Sequence, residues 1–156
     1  MMLDDEICAF LASGVSITIA SRNASMQPSI SRAKGCRVLP GPQPKLRIYV
    51  SVSHAGELLD DVRATGMIAA AFNLPDTHRS LQLKGSDARI ATLDEADRAA
   101  IDRCILAFSA SLTTLGFSND FIRAFFEAPQ DETAIEFTPA DAFQQTPGPS
   151  AGARLP

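Results

Sequence analysis

Between Ile7 and Gly56 this sequence has no Asp or Glu, while Arg22, Arg32, Lys34, Arg37, Lys45 and Arg47 give the stretch a net charge of +6. The whole chain carries −4, so the remaining residues hold −10. Positive charge segregated within an acidic protein points to a local anionic ligand rather than to general affinity for nucleic acid or an anionic membrane. A nucleic-acid binder would more often be basic overall. Three of the cations fall in "PSISRAKGCRV", Pro28 to Val38, which reads as one β-strand. Period-two alternation puts Arg32 and Lys34 on one face and Arg37 on the other. Two cations on one face can grip a phosphate, Arg through its planar fork and Lys as a point charge. An edge strand also carries basic residues to discourage edge-to-edge pairing; the absence of nearby carboxylates favours the anion.

A second candidate is "SVSHAGE", where Ser51, Ser53 and His54 gather at the start of a predicted helix. Exposed backbone N–H groups and the positive end of the helix dipole suit a phosphate there, although a capped helix needs the same residues. The third is "THRSLQLKG", whose faces read His78, Ser80, Gln82, Lys84 and Arg79, Leu81, Leu83. Any half-solvated strand divides in this way. Ser80 and Gln82 are nevertheless neutral hydrogen-bonding groups of the kind that meet the polar edge of a heterocycle.

The sequence offers little else for chemistry. It contains no G-x-S-x-G elbow, no G-x-x-x-x-G-K-[ST] and no G-x-G-x-x-G. Cys8, Cys36 and Cys104 are odd in number and lack C-x-x-C spacing, and His54 and His78 are the only histidines, so neither a disulfide framework nor a metal site is expected. Cys36 beside two cations is either an activated thiol or a packed strand residue, and no His is placed as its base.

The elements that must position these residues follow from periodicity and punctuation. Asp4 or Asp5 caps a short helix carrying Ile7, Phe10 and Leu11, set across a barrel end. "VSITIA" and the cationic stretch form a hairpin, and after the break at Pro40 to Pro44 the strand "KLRIYVSV" completes a meander. Ser53 caps a helix closed by Gly66. "MIAAAF" and "RSLQLKGSDARIATL" form a second hairpin around "NLPDTH". Thr92 and Glu95 fit a capping box ahead of a long helix running to Gly116. Ser118 caps a shorter one stopped by Pro129, and "TAIEFTP" is a last strand. With 156 residues, 46% of them hydrophobic, the chain is expected to form a single domain over residues 1–143, with a Pro/Gly-rich tail over 144–156. No apolar run is long enough to cross a membrane, and the acidic N-terminus differs from a secretory signal, so the protein is expected to be cytoplasmic. The order β-β-β-α-β-β-α-α-β favours a small antiparallel barrel with peripheral helices over a doubly wound parallel sheet.

"PSISRAKGCRV", "VSVSHAGELL" and "THRSLQLKG", in this order, with "QTPGPSAG" near the C-terminus, resemble the pyridoxamine 5′-phosphate oxidase-like family of FMN-binding split barrels. The resemblance runs from about Gly14 to Leu93. It implies a six-stranded antiparallel split β-barrel of the α+β class and a homodimer with FMN in clefts at the interface. Carried over by position, Arg32 and Lys34 would meet the phosphate or the flavin edge. Ser51, Ser53 and His54 would surround the phosphate, and Ser80 and Gln82 would face the ring or ribityl chain, with Thr77 and His78 nearby. The oxidase itself uses a Trp and an Arg near its C-terminus; this chain has no Trp and only Arg154 in its tail. The expectation is therefore a related FMN-dependent oxidoreductase acting on a small molecule, in which hydride chemistry at flavin N5 requires no protein nucleophile. The alternative is a non-catalytic module that holds a flavin or haem for storage, sensing or regulation.

Overall fold

The computed structural model describes residues 3–127 and 130–156. The strands are β1 (Ser16–Arg22), β2 (Pro28–Ala33), β3 (Gly35–Leu39), β4 (Lys45–Ser51), β5 (Ile68–Asn73), β6 (Ser80–Gly85), β7 (Arg89–Ala91), β8 (Glu132–Phe137) and β9 (Asp141–Gln144). The helices are α1 (Asp5–Leu11), α2 (Gly56–Thr65), α3 (Glu95–Thr114) and α4 (Asn119–Phe126). Every strand pairing is antiparallel, in a five-stranded sheet ordered β2-β1-β5-β6-β9 and a four-stranded sheet ordered β3-β4-β8-β7. The mainly β, α+β expectation holds, but the described residues form these two sheets rather than a six-stranded barrel.

Two predicted strands each divide, and a glycine marks each division. "PSISRAKGCRV" bends at Lys34, so β2 ends in one sheet and β3 begins in the other. A Cβ on Gly35 would lie 2.6 Å from the Cys104 Cβ, so the glycine lets α3 pack against the start of β3. "RSLQLKGSDARIATL" likewise divides into β6 and β7, and a Cβ on Gly85 would lie 2.6 Å from the Phe137 ring. Side-chain alternation is blind to such bends, because it continues across them.

Leu46, Ile48 and Val50 of β4, Ile17 and Ile19 of β1, Phe72, Leu83, Ile135 and Phe137 bury against Leu58, Leu59 and Val62 of α2. Asp4 caps α1 by accepting from the Ile7 N–H at 2.8 Å, and α1 packs on β3. Gly66 closes α2 in the left-handed region, as its position predicts. Two caps differ from expectation. The N-cap of α2 is Ala55, without a side-chain bond, because the helix starts at Gly56, two residues later than a Ser53 cap requires, and the Ser53 hydroxyl bonds Asp131 instead. The capping box of α3 is Asp94 with Asp97 rather than Thr92 with Glu95. Ser118 caps α4 as expected, while Pro129 lies outside the described residues. The tail turns back on β9, with the Leu155 N–H donating to the Ala142 carbonyl at 2.8 Å and the Gln144 N–H to Ala153.

Candidate functional site

The excess positive charge of residues 7–56 is largely neutralised in space. Lys34 donates to Glu132 at 2.7 Å, Arg37 to Asp97 at 2.7 Å, and Arg47 to both Asp97 and, at 2.9 Å, Glu136. Lys45 and Arg89 also reach Glu136, at 3.3 and 2.6 Å. The premise that these cations lack carboxylates therefore fails for four of the six. Asp97, 0% exposed, is the hub, and it also accepts from the Tyr49 hydroxyl at 2.7 Å. Burial alone would push its carboxyl up. The Asp94 backbone N–H, the Tyr49 hydroxyl and Arg37 outweigh that and hold it at about 2. Burial is likewise outweighed at Glu136, where Arg89, Arg47 and Lys45 hold the carboxyl at about 2.

Arg22 and Arg32 have no carboxylate partner among the described residues. Arg32 points out from β2, donating to the Ser16 hydroxyl at 3.0 Å, with its guanidinium 4.9 Å from the centre of the Phe125 ring. Lys34 does not share its face, because Lys34 sits in the bend and turns toward Glu132.

The outer face of the five-stranded sheet carries a register row that crosses all five strands: Arg32, Thr18, Ala71, Gln82, Phe143. The next row is Ile30, Ala20, Ala69, Lys84, Asp141. These side chains are half-buried or exposed, Ile30 at 71%, while α2 packs on the opposite side of the sheet. Ser80 belongs to the same face, beside Asn73, whose amide donates to its hydroxyl at 2.6 Å. Gln82 accepts from the Gln145 amide at 3.4 Å. A cavity of about 340 Å³ opens along this face between Ala20, Arg22, Ala69, Lys84 and Asp141. Arg22 and Lys84 were missed as site candidates; the signal available was that both fall on outward positions of their strands.

The turn from β4 into α2 forms a second cluster. Ser51, 4% exposed, donates to Asp131 at 2.6 Å, and the Ser53 backbone N–H donates to the same carboxylate at 2.7 Å, joined by the Ser53 hydroxyl. These hydroxyl bonds hold the Asp131 carboxyl down at about 2. Lys34 and Glu132 border it, Glu132 being the register partner of Ser51. The donor set thus suits a tetrahedral or planar anion, and Asp131 stands in that role. His54 is exposed at this turn, its backbone N–H donating to the Ser51 carbonyl at 3.2 Å. Thr77 and His78 lie exposed in the β5–β6 turn, His78 at φ 59°, and the His78 carbonyl accepts from the Ser80 hydroxyl at 2.9 Å. The nine sequence candidates therefore fall into an outer-face group, Arg32, Ser80 and Gln82 with Thr77 and His78 at its margin, and a turn group, Lys34, Ser51, Ser53 and His54.

Cys36 is a packed strand residue, and burial pushes its thiol up, which opposes thiolate chemistry. No group of three His, Cys, Asp or Glu among the described residues is arranged to hold a metal. No helix among them is long and apolar enough to cross a membrane.

Neither a protein-family model nor a curated protein matches the sequence. Solved structures do. HupZ of Group A Streptococcus is 16% identical, the alignment covering 97% of this chain and 100% of that one with a TM-score of 0.57. A pyridoxamine 5′-phosphate oxidase-related, FMN-binding protein of Nostoc punctiforme is 12% identical over 96% of this chain and 87% of that one, with a TM-score of 0.53. The heme storage protein HutZ of Vibrio cholerae, 15% identical over 92% and 95%, superposes at a TM-score of 0.48. In fold, this chain stands with the pyridoxamine 5′-phosphate oxidase-related proteins.

Proposed function

We propose that the protein is a homodimeric FMN-binding flavoprotein, an oxidoreductase acting on a small molecule, with the flavin held between two copies against the outer face of the five-stranded sheet. The observation that carries this reading is the open row Arg32, Thr18, Ala71, Gln82, Phe143. Its small central residues leave a flat floor for a planar ring, Gln82 supplies an amide for the ring's polar edge, and Arg32 supplies a cation at one end. The ribityl chain would pass Ser80, with Thr77 and His78 beside it. Ser51, Ser53, Lys34 and His54 are the groups that would take the phosphate. Such a cofactor would supply hydride transfer, leaving the chain to bind, orient and exclude water. A face whose middle, at Thr18 and Ala71, no element among the described residues covers suits a second copy, because a two-fold assembly buries the same patch on both partners.

Titration of FMN into the purified protein, followed by flavin fluorescence, tests the reading. Saturable quenching at one flavin per chain is expected, with loss of yellow colour when a nicotinamide reductant is added anaerobically. A protein that leaves flavin fluorescence unchanged would overturn the flavin assignment. A yellow protein inert to every reductant would overturn the oxidoreductase half and leave a binding module.

A further inference from the structure

Asp131 occupies a cluster of donors at the β4–α2 turn that suits a phosphate. Its carboxylate takes the Ser51 hydroxyl, the Ser53 hydroxyl and the Ser53 backbone N–H, all groups 78 or 80 residues away in sequence. The Val52 backbone N–H donates to the Asp131 carbonyl at 3.1 Å, so backbone as well as side chain locks the segment before β8 to this turn. Next in sequence, Glu132 holds the neighbouring cation Lys34 at 2.7 Å. A phosphate brought to the same donors would meet two carboxylates, and the like charges would repel at contact distance.

We propose that Asp131 is an intramolecular competitor for this anion cradle, so that a phosphate or phosphate ester binds only as the Asp131 carboxylate leaves Ser51 and Ser53. This rests on the proposed FMN reading for the ester's identity, but the competition itself concerns any phosphate. Asp131 is held beside these donors by the fold, through the Val52–Asp131 backbone bond, and so competes at an effective concentration on the order of millimolar or above. Freely dissolved phosphate therefore starts at a disadvantage in the wild-type chain, and removal of the carboxylate restores the donors. Asp131→Ala opens the cradle. Asp131→Asn keeps the shape of the side chain and one acceptor while removing the charge, which separates repulsion from occupancy and serves as the readout should the alanine variant fail to fold.

The experiment compares thermal stabilisation by inorganic phosphate in wild type, Asp131→Ala, Asp131→Asn and the double variant Asp131→Ala with Ser53→Ala. A ligand that binds only the folded state raises the melting temperature according to its affinity. Asp131→Ala is expected to bind phosphate at least about tenfold more tightly than wild type, Asp131→Asn to fall between them, and the double variant to lose the gain. Equal response of wild type and both single variants would overturn the proposal, as would a gain that survives Ser53→Ala. FMN and riboflavin distinguish the two claims. If Asp131→Ala gains phosphate binding while no variant binds either flavin, the competitor stands and the flavin reading falls. If wild type already prefers FMN to riboflavin and Asp131→Ala leaves that preference unchanged, the competitor falls and the flavin reading stands.

Discussion

Asp97, itself fully buried, joins Arg37, Arg47, Tyr49 and its own helix cap, and its loss leaves the buried Tyr49 hydroxyl without its acceptor and two half-buried guanidinium groups short of a carboxylate. Removing one member of a buried ion pair leaves an uncompensated charge and costs roughly 3–5 kcal/mol. Asp97→Ala is therefore expected to lower unfolding stability by about that amount in urea titrations, whereas Asp60→Ala, at an exposed helix pair, should change it by less than about 0.5 kcal/mol. The pH dependence follows from the same site. Asp97 and Glu136 both have folded-state values near 2, below their ordinary 3.8 and 4.5. The folded state thus binds fewer protons, and its advantage is complete above the ordinary values and lost as pH falls through them toward about 2. Urea midpoints should drop between about pH 5 and pH 3 in wild type, with a smaller drop in Asp97→Asn; an equal drop would assign the acid sensitivity elsewhere. None of this hub was legible in the sequence. Arg37 and Asp97 stand sixty residues apart, and charge spacing along a chain carries no record of which strands a helix will lie upon. The same blindness made residues 7–56 look like a ligand-seeking patch, when Lys34, Arg37, Lys45 and Arg47 have carboxylates waiting in the C-terminal half.

At the scale of elements, the periodic helices were plain from their apolar spacing and terminal residues: Asp4, Gly66 and Ser118 sit where the sequence puts them. Strand existence was legible as well, but strand continuity was not. The bend at Lys34 is marked in the sequence by Gly35 alone, where α3 comes close to the start of β3. Gly35→Ala would set a methyl 2.6 Å from the Cys104 Cβ, pushing α3 from the sheet, with an expected loss of about 1–3 kcal/mol. Gly56→Ala opens α2, where an added Cβ meets nothing within 4 Å, and should be neutral or stabilise by about 0.4–1 kcal/mol. Thermal unfolding of the two variants side by side checks the pair, and similar losses in both would show that the α3–β3 approach is not the constraint. The bend also explains the division of the candidate site, because it sends Arg32 to the outer face and Lys34 to the turn with Ser51.

For the whole molecule, the open sheet face, the aromatic side of α4 and the Asp131 turn meet around the Lys34 bend, since Phe125 lies under Arg32 and Glu132 pairs with Lys34. Residue types on "THRSLQLKG" revealed the polar side of β6, but the row it joins became visible only with the five-strand register. Ala71 lies exposed at the centre of that row, so Ala71→Arg adds bulk and charge without touching the core. The variant is expected to keep its stability within about 0.5 kcal/mol while sedimenting as a monomer; an intact dimer would place the assembly elsewhere. The flavin and the dimer are tested together by sedimentation velocity of wild type with FMN, followed in the flavin's visible absorbance band. The coloured boundary is expected to travel with a species of two chains, and to be lost in Ala71→Arg. Colour that remains unsedimented, or that moves with a single chain, would contradict a flavin held between two copies on this face.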